Sequence, residues 1–288
     1  MSFKKRGWFW IILFLSVIIT VIFFTFPIKG HIPVLMYHLI LPKSEVGTSS
    51  LHVSIENFER QMWFLKFFGF RAISLDEFYA IKIGQAEPRG REVLVTFDDG
   101  HRSYLQYALP IMERYGIQSA NFLIWDHLND DFWRDYMKLE EAKSISKHPL
   151  VTLGSHTLTH PDLVEINPTQ ARIEIVESKK KLEDFFGQSF DYLCYPSGTF
   201  NDYVVESVRE AGYRLAFTTA RKRLNGERET LYSIARLKIG LKDNLFAFWL
   251  NVSGIMDYEK RIDLFFHQLT ANRVNGKLNV YKPVYETT

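Results

Sequence analysis

Two short clusters in this 288-residue chain hold side chains that could carry out hydrolysis together. The first is Thr96-Phe97-Asp98-Asp99-Gly100, where two carboxylates and a glycine end the apolar, β-branched run that starts at Val93. The second is Ser155-His156-Thr157-Leu158-Thr159-His160, which places two imidazoles four positions apart. One carboxylate and two neutral imidazoles make a three-ligand site for a transition metal, with positions left for water and substrate. The remaining carboxylate can serve as base toward that water. Taken singly, the clusters also read as turn acids and surface loop histidines. Their joint placement at strand ends favours the chemical reading.

The elements that must position them follow from the pattern around each cluster. Residues 93–97 suit a parallel strand buried on both faces, and acids at its carboxyl end sit where α/β folds place their chemistry. Gly154 and Pro161 flank the histidine pair and argue for a loop at a strand end rather than a helix. Further strands are expected at 32–38, 71–75, 119–125, 150–155, 190–195, 215–219 and 234–239. Helices are expected at 54–68, 76–83, 103–115, 139–146, 169–186 and 203–211, with loops at 42–50, 84–90 and 126–136. This alternation predicts a distorted (β/α) barrel of roughly seven or eight units. Beyond Gly254 the pattern weakens, although Val274-Asn275-Gly276-Lys277 reads as a hairpin turn.

Residues 8–28 carry no charge and are almost wholly apolar, long enough to cross a bilayer core as a helix. Lys4, Lys5 and Arg6 precede them, which leaves the N-terminus in the cytoplasm and exports the rest. A signal peptide would have a shorter apolar region and a small-residue cleavage site; the exit Thr25-Phe26-Pro27-Ile28-Lys29-Gly30 has none, which favours an uncleaved anchor. The expected organisation is an anchor in 1–30, a catalytic domain over 31–250, and a tail from 251 to 288. Removing the four cations of the first segment takes the formal net charge from +2 to −2, so nothing suggests a nucleic-acid surface. Cys194 is the single cysteine, which excludes an internal disulfide; its apolar neighbours mark it as a buried strand thiol.

Thr96–Gly100 and Ser155–His160 resemble the first two motifs of the polysaccharide deacetylases, the NodB-homology or carbohydrate esterase family 4 enzymes. The resemblance covers roughly residues 33–239. It implies a distorted (β/α) barrel that removes N- or O-acetyl groups from glycans with one divalent metal, zinc first, with cobalt, nickel and iron as the other candidates. It assigns Asp98 as general base and Asp99, His156 and His160 as metal ligands, with Ser155 or Thr157 steadying the ligand loop. The family's third motif is matched by Cys194-Tyr195-Pro196-Ser197-Gly198, which brings Tyr195, Pro196 and Ser197 to the substrate and oxyanion side.

Two departures stand out. Cys194 occupies the place of the arginine that orients the base, with Arg236 on the late strand as a candidate substitute. No late histidine aligns as general acid, and His38, closing Val34-Leu35-Met36-Tyr37-His38, is the alternative. That phrase resembles the branch acting on poly-β-1,6-N-acetylglucosamine in biofilms. The expected partners are therefore a polysaccharide, the membrane and the exopolysaccharide synthesis machinery. Peptidoglycan deacetylation, O-acetyl ester hydrolysis and catalytically weak glycan binding stay open as rivals. Tyr37, Trp125, Trp133 and Tyr195 are candidates to stack on sugar rings.

Overall fold

The computed structural model describes residues 32–219 and 230–254, together with residues 14 and 16. The proposed anchor in 8–28, apart from those two positions, and the hairpin at 274–277 lie outside the described residues. Among the described residues no helix is long and apolar enough to cross a membrane.

The chain builds a curled parallel sheet. β1 (Val34–Tyr37) is followed by the short strands β2 (Leu39–Leu41) and β3 (His52–Ser54), which pair with each other as a separate two-stranded sheet. The N-cap Ser54 Oγ accepts from the Asn57 N–H at 3.2 Å, and α1 (Ile55–Phe67) starts there, as its capping signal predicts. Next come β4 (Arg71–Ala72), α2 (Leu75–Lys82) and the central strand β5 (Glu92–Phe97). A π-helical turn at Tyr104–Ala108 then leads into α3 (Leu109–Tyr115), where the sequence suggests one continuous helix.

β6 (Ser119–Leu123), α4 (Trp125–Asn129), α5 (Leu139–Ile145), β7 (Val151–Ser155) and α6 (Pro168–Phe186) continue the alternation. α4 falls where the sequence suggests only loop. The remaining elements are β8 (Tyr192–Cys194), α7 (Asp202–Glu210), β9 (Leu215–Phe217), β10 (Leu237–Lys238) and α8 (Leu245–Val252).

The strand order is β10-β1-β5-β6-β7-β8-β9, all parallel, with β4 beside the start of β5. The expected strand at 234–239 is split, and the split matters. Ile234 bridges in parallel to Phe217 of β9, while Leu237 and Lys238 pair with Leu35 and Met36 of β1. One short segment therefore spans both edges of the curled sheet and draws them together.

Strand alternation sorts the side chains between two apolar cores. On β5, Val93, Val95 and Phe97 face the helices and join the large core with Tyr37, Phe58 and Tyr104. Leu94 faces the interior with Ala120, Phe122, Cys194 and Phe217. The period of two then directs Thr96 and Asp98 into the interior as well.

Candidate active site

Asp98 ends β5 inside the curled sheet, 3% exposed. Arg236, on the closing segment, reaches it from across the sheet. Its Nη1 donates to Asp98 Oδ1 and its Nη2 to Oδ2, both at 2.7 Å, a two-point fork onto one carboxylate. The guanidinium is itself fixed: Nε donates to the Thr218 carbonyl at 3.0 Å and Nη1 to Thr96 Oγ1 at 3.0 Å. Nη2 also lies 2.9 Å from Cys194 Sγ. Burial alone would raise the Asp98 pKa, but the charge and hydrogen bonds of Arg236 outweigh it and hold the carboxyl below the ordinary range.

Asp99 follows at the turn with φ of 71°, a left-handed backbone conformation. Its Oδ1 lies 3.4 Å from His156 Nε2 and 3.6 Å from His160 Nε2. The three ligand atoms of Asp99, His156 and His160 all fall within 4.8 Å of one another. His156 Nδ1 donates to the Cys194 carbonyl at 2.7 Å, which leaves Nε2 as the lone-pair nitrogen facing Asp99. Against the effect of burial, Cys194 and Asp99 raise the His156 pKa well above the ordinary imidazole value, so a cation that binds at Nε2 must displace a proton from it. Burial, then the charge of His156, push His160 down to about 4, which favours its neutral, ligating form. Donor types, tautomer and spacing all fit a divalent cation.

The histidine loop is held from beneath. Ser155 Oγ accepts from the Thr157 N–H at 3.2 Å, and Thr157 Oγ1 accepts from the His160 N–H at 3.1 Å, so both predicted loop-steadying hydroxyls are engaged. Glu174 of α6, 2% exposed, accepts from the N–H groups of Leu158 and Thr159, both at 2.9 Å, and from Thr159 Oγ1 at 2.7 Å. Thr157, His160 and Ser197 have φ of 69°, 66° and 56°. Such strain typically costs about 1–3 kcal/mol per residue and persists only where the surroundings impose it.

Sequence reasoning passed over two residues here. Glu174 is an acid on the buried face of α6 beside Ala171, Ile175, Ser178 and Leu182, and an acid on an apolar stripe is the signal that could have marked it. His101, directly after Gly100, places Nε2 at 3.3 Å from Asp99 Oδ2 and is buried.

His38 closes β1 with Nε2 at 3.7 Å from Asp98 Oδ2. Burial lowers its pKa, with the carboxylates of Asp98 and Asp99 acting in the opposite direction. Its Nδ1 is buried and makes no hydrogen bond within the protein.

The third motif requires corrections. Tyr195 is fully buried, stacks on Phe200 at 5.4 Å, and its hydroxyl donates to the Tyr232 carbonyl at 3.0 Å. Its N–H donates to the Phe217 carbonyl. Neither ring nor amide is left for substrate. Strand parity explains this: Cys194 faces the interior, so Tyr195 faces the helices. Tyr37 is buried for the same reason, with its hydroxyl donating to Gln61 Oε1 at 2.9 Å. Pro196 is buried and carries no N–H, whereas Ser197 is exposed at the left-handed turn. Trp125 packs near Phe185 of α6, and Trp133 lies over His127 with ring centroids 3.9 Å apart.

The chain is 26% identical over 223 residues to the Bacillus subtilis (strain 168) protein YxkH, named for the polysaccharide deacetylases, with 77% of this chain and 76% of that one covered. It is 28% identical over 180 residues to the poly-β-1,6-N-acetyl-D-glucosamine N-deacetylase of Staphylococcus aureus (strain MRSA252), covering 59% of this chain and 62% of that protein. The solved structure of the Streptococcus pyogenes deacetylase PplD in complex with acetate matches with a TM-score of 0.69 at 27% identity, over 78% of this chain and 99% of that one. Residues 85–216 match the family model for polysaccharide deacetylases, and with the fold and the paired motifs they show that this chain carries a polysaccharide deacetylase domain, a hydrolase unit.

Proposed function

We propose that this protein is a membrane-anchored, extracytoplasmic, metal-dependent deacetylase that removes N-acetyl groups from an N-acetylglucosamine polysaccharide. The observation that carries the reading is the division of labour between adjacent acids. Asp98 is locked by Arg236 and kept ionised, while Asp99 is turned toward His156 and His160. Asp99, His156 and His160 would hold one divalent metal, zinc foremost. When bound there, the metal supplies Lewis acidity toward water and the acetyl carbonyl.

The chain's own groups carry the protons. Asp98, ionised and rigid, takes the proton that water loses as it attacks the carbonyl. His38, beside Asp98 on the same rim, is placed to relay that proton from Asp98 to the departing amine. The backbone at Ser197, exposed on the left-handed turn, is the candidate donor to the developing oxyanion.

The similarity to the staphylococcal N-deacetylase supports poly-β-1,6-N-acetylglucosamine as the substrate. The apolar stretch 8–28 supports the anchor, with the catalytic domain over 31–250. The test is acetate release from defined oligosaccharides, with and without chelator. Chelator-sensitive release from β-1,6-linked N-acetylglucosamine is the expected result. Release only from peptidoglycan fragments or O-acetyl esters would move the substrate, and binding without release would make the chain a glycan-binding protein.

A further inference from the structure

We propose that Phe132 and Trp133 form a subsite that stacks another sugar ring of the polymer, outside the centre where the acetyl group is lost. This rests on the deacetylase reading above and extends it to how a chain, rather than a single sugar, is held.

Phe132 is 77% exposed, in the loop between α4 and α5. That loop is tied at every turn. The Phe132 N–H donates to Asp130 Oδ1 at 2.9 Å and the Trp133 N–H to the Asp130 carbonyl at 3.2 Å. Lys138 Nζ donates to the same carbonyl at 2.7 Å. The loop is also fastened to both catalytic loops. The Arg102 N–H donates to the Asp135 carbonyl at 2.8 Å, and the Met137 N–H to the Gly100 carbonyl at 2.9 Å. At the head of α4, the Asp126 N–H donates to the Leu158 carbonyl at 3.0 Å.

From Asp99 a continuous file of rings leads out to this loop. His101 lies 3.3 Å from the Asp99 carboxylate and packs on Tyr136 with centroids 4.4 Å apart. His127 joins Tyr136 at 4.4 Å and Trp133 at 3.9 Å. Phe132 then meets Trp133 at right angles, 5.2 Å between centroids. With most of the phenyl ring in water, at least one of its faces is open. An apolar ring held in solvent on a fastened loop, at the end of a packed file from the metal-ligand carboxylate, is a surface for a ligand with apolar faces. A β-linked pyranose has such faces, because its hydroxyl and amide groups lie at its rim and its C–H bonds point above and below. Burying a face against an aromatic ring removes apolar surface from water.

The test compares the full-length protein with Phe132→Ala on N-acetylglucosamine and its β-1,6 and β-1,4 oligomers, reading acetate release. For the hexamer, kcat/KM should fall about tenfold more than for the monosaccharide, the size of one aromatic contact, with the change chiefly in KM. Phe132→Trp should restore the hexamer preference. An effect of equal size at every chain length would overturn the subsite. So would a change in sedimentation without a change in length dependence, which would assign the ring to a protein contact. Wild-type protein that releases no acetate from any oligomer would instead overturn the deacetylase reading on which the subsite rests.

Discussion

Arg236 and Asp98 stand 138 positions apart in the chain and grip each other through two hydrogen bonds of 2.7 Å, both side chains almost completely buried. The arginine missing beside the third motif is thus supplied by the segment that draws the sheet edges together. Cys194 fills the place left over, against the same guanidinium.

Arg236→Met should disable the base through its protonation. Burial then acts on Asp98 without the opposing arginine, so its pKa rises and the acid limb of the pH–rate profile moves upward. In the native protein the lowered Asp98 pKa contributes stability above the unfolded carboxylate value of about 3.9, lost as pH falls through the folded value. In the variant the sign reverses, giving a penalty at neutral pH that is relieved on acidification. Removing one partner of a buried pair costs about 3–5 kcal/mol, readable by denaturant unfolding. Arg236→Lys keeps the charge but loses the fork and should fall between the two. An unmoved acid limb in Arg236→Met would deny Arg236 this role.

The two acids should separate cleanly on substitution. Asp98→Asn should retain metal and lose activity by about a hundred- to ten-thousand-fold, as removal of a general base does. Asp99→Asn should weaken metal binding, because a neutral amide is a poor ligand for a hard or borderline dication. Metal content and acetate release measured on the same samples decide this, and equal small effects would return both acids to the role of turn residues.

Chelation should abolish activity and lower the melting temperature. A ligand present at a hundredfold its dissociation constant stabilises a fold by about 2.7 kcal/mol, so the loss is within calorimetric reach. His156→Ala should remove most of the metal-dependent shift. A melting temperature that ignores both metal and chelator in the wild type would speak against the site.

Glu174→Ala should loosen the histidine loop without touching a proposed ligand. It removes the acceptor of the Leu158 and Thr159 N–H groups, which are part-exposed, so each lost hydrogen bond costs about 0.5–1.5 kcal/mol. Faster amide exchange over residues 156–160 and weaker metal affinity are the expected pair of results. Unchanged exchange there would show that the loop holds its shape by other means.

The anchor is tested by fractionation. The mature protein should begin at or near Met1 and stay with the membranes after a high-salt wash. Recovery in the medium with a new N-terminus near Gly30 would identify the segment as a signal peptide.

What the sequence by itself determined is local. The apolar run before Asp98, the glycine after Asp99 and the four-residue spacing of His156 and His160 each lie within one turn or strand end, where short-range sterics and alternation act. The alternating β/α order was legible for the same reason, since each unit carries its own periodicity. Only the tertiary structure decided what orients Asp98. Arg236 meets it because the sheet curls until Ile234 bridges to β9 and Leu237 to β1, a consequence of twist accumulated over many strands that no single stretch encodes. It likewise decided that Cys194 faces inward and Tyr195 outward, because the side each side chain takes depends on which face of β8 the helices cover. The contacts of His101 and Glu174 with the site arise in the same way, from packing between elements whose registers are set by the whole sheet.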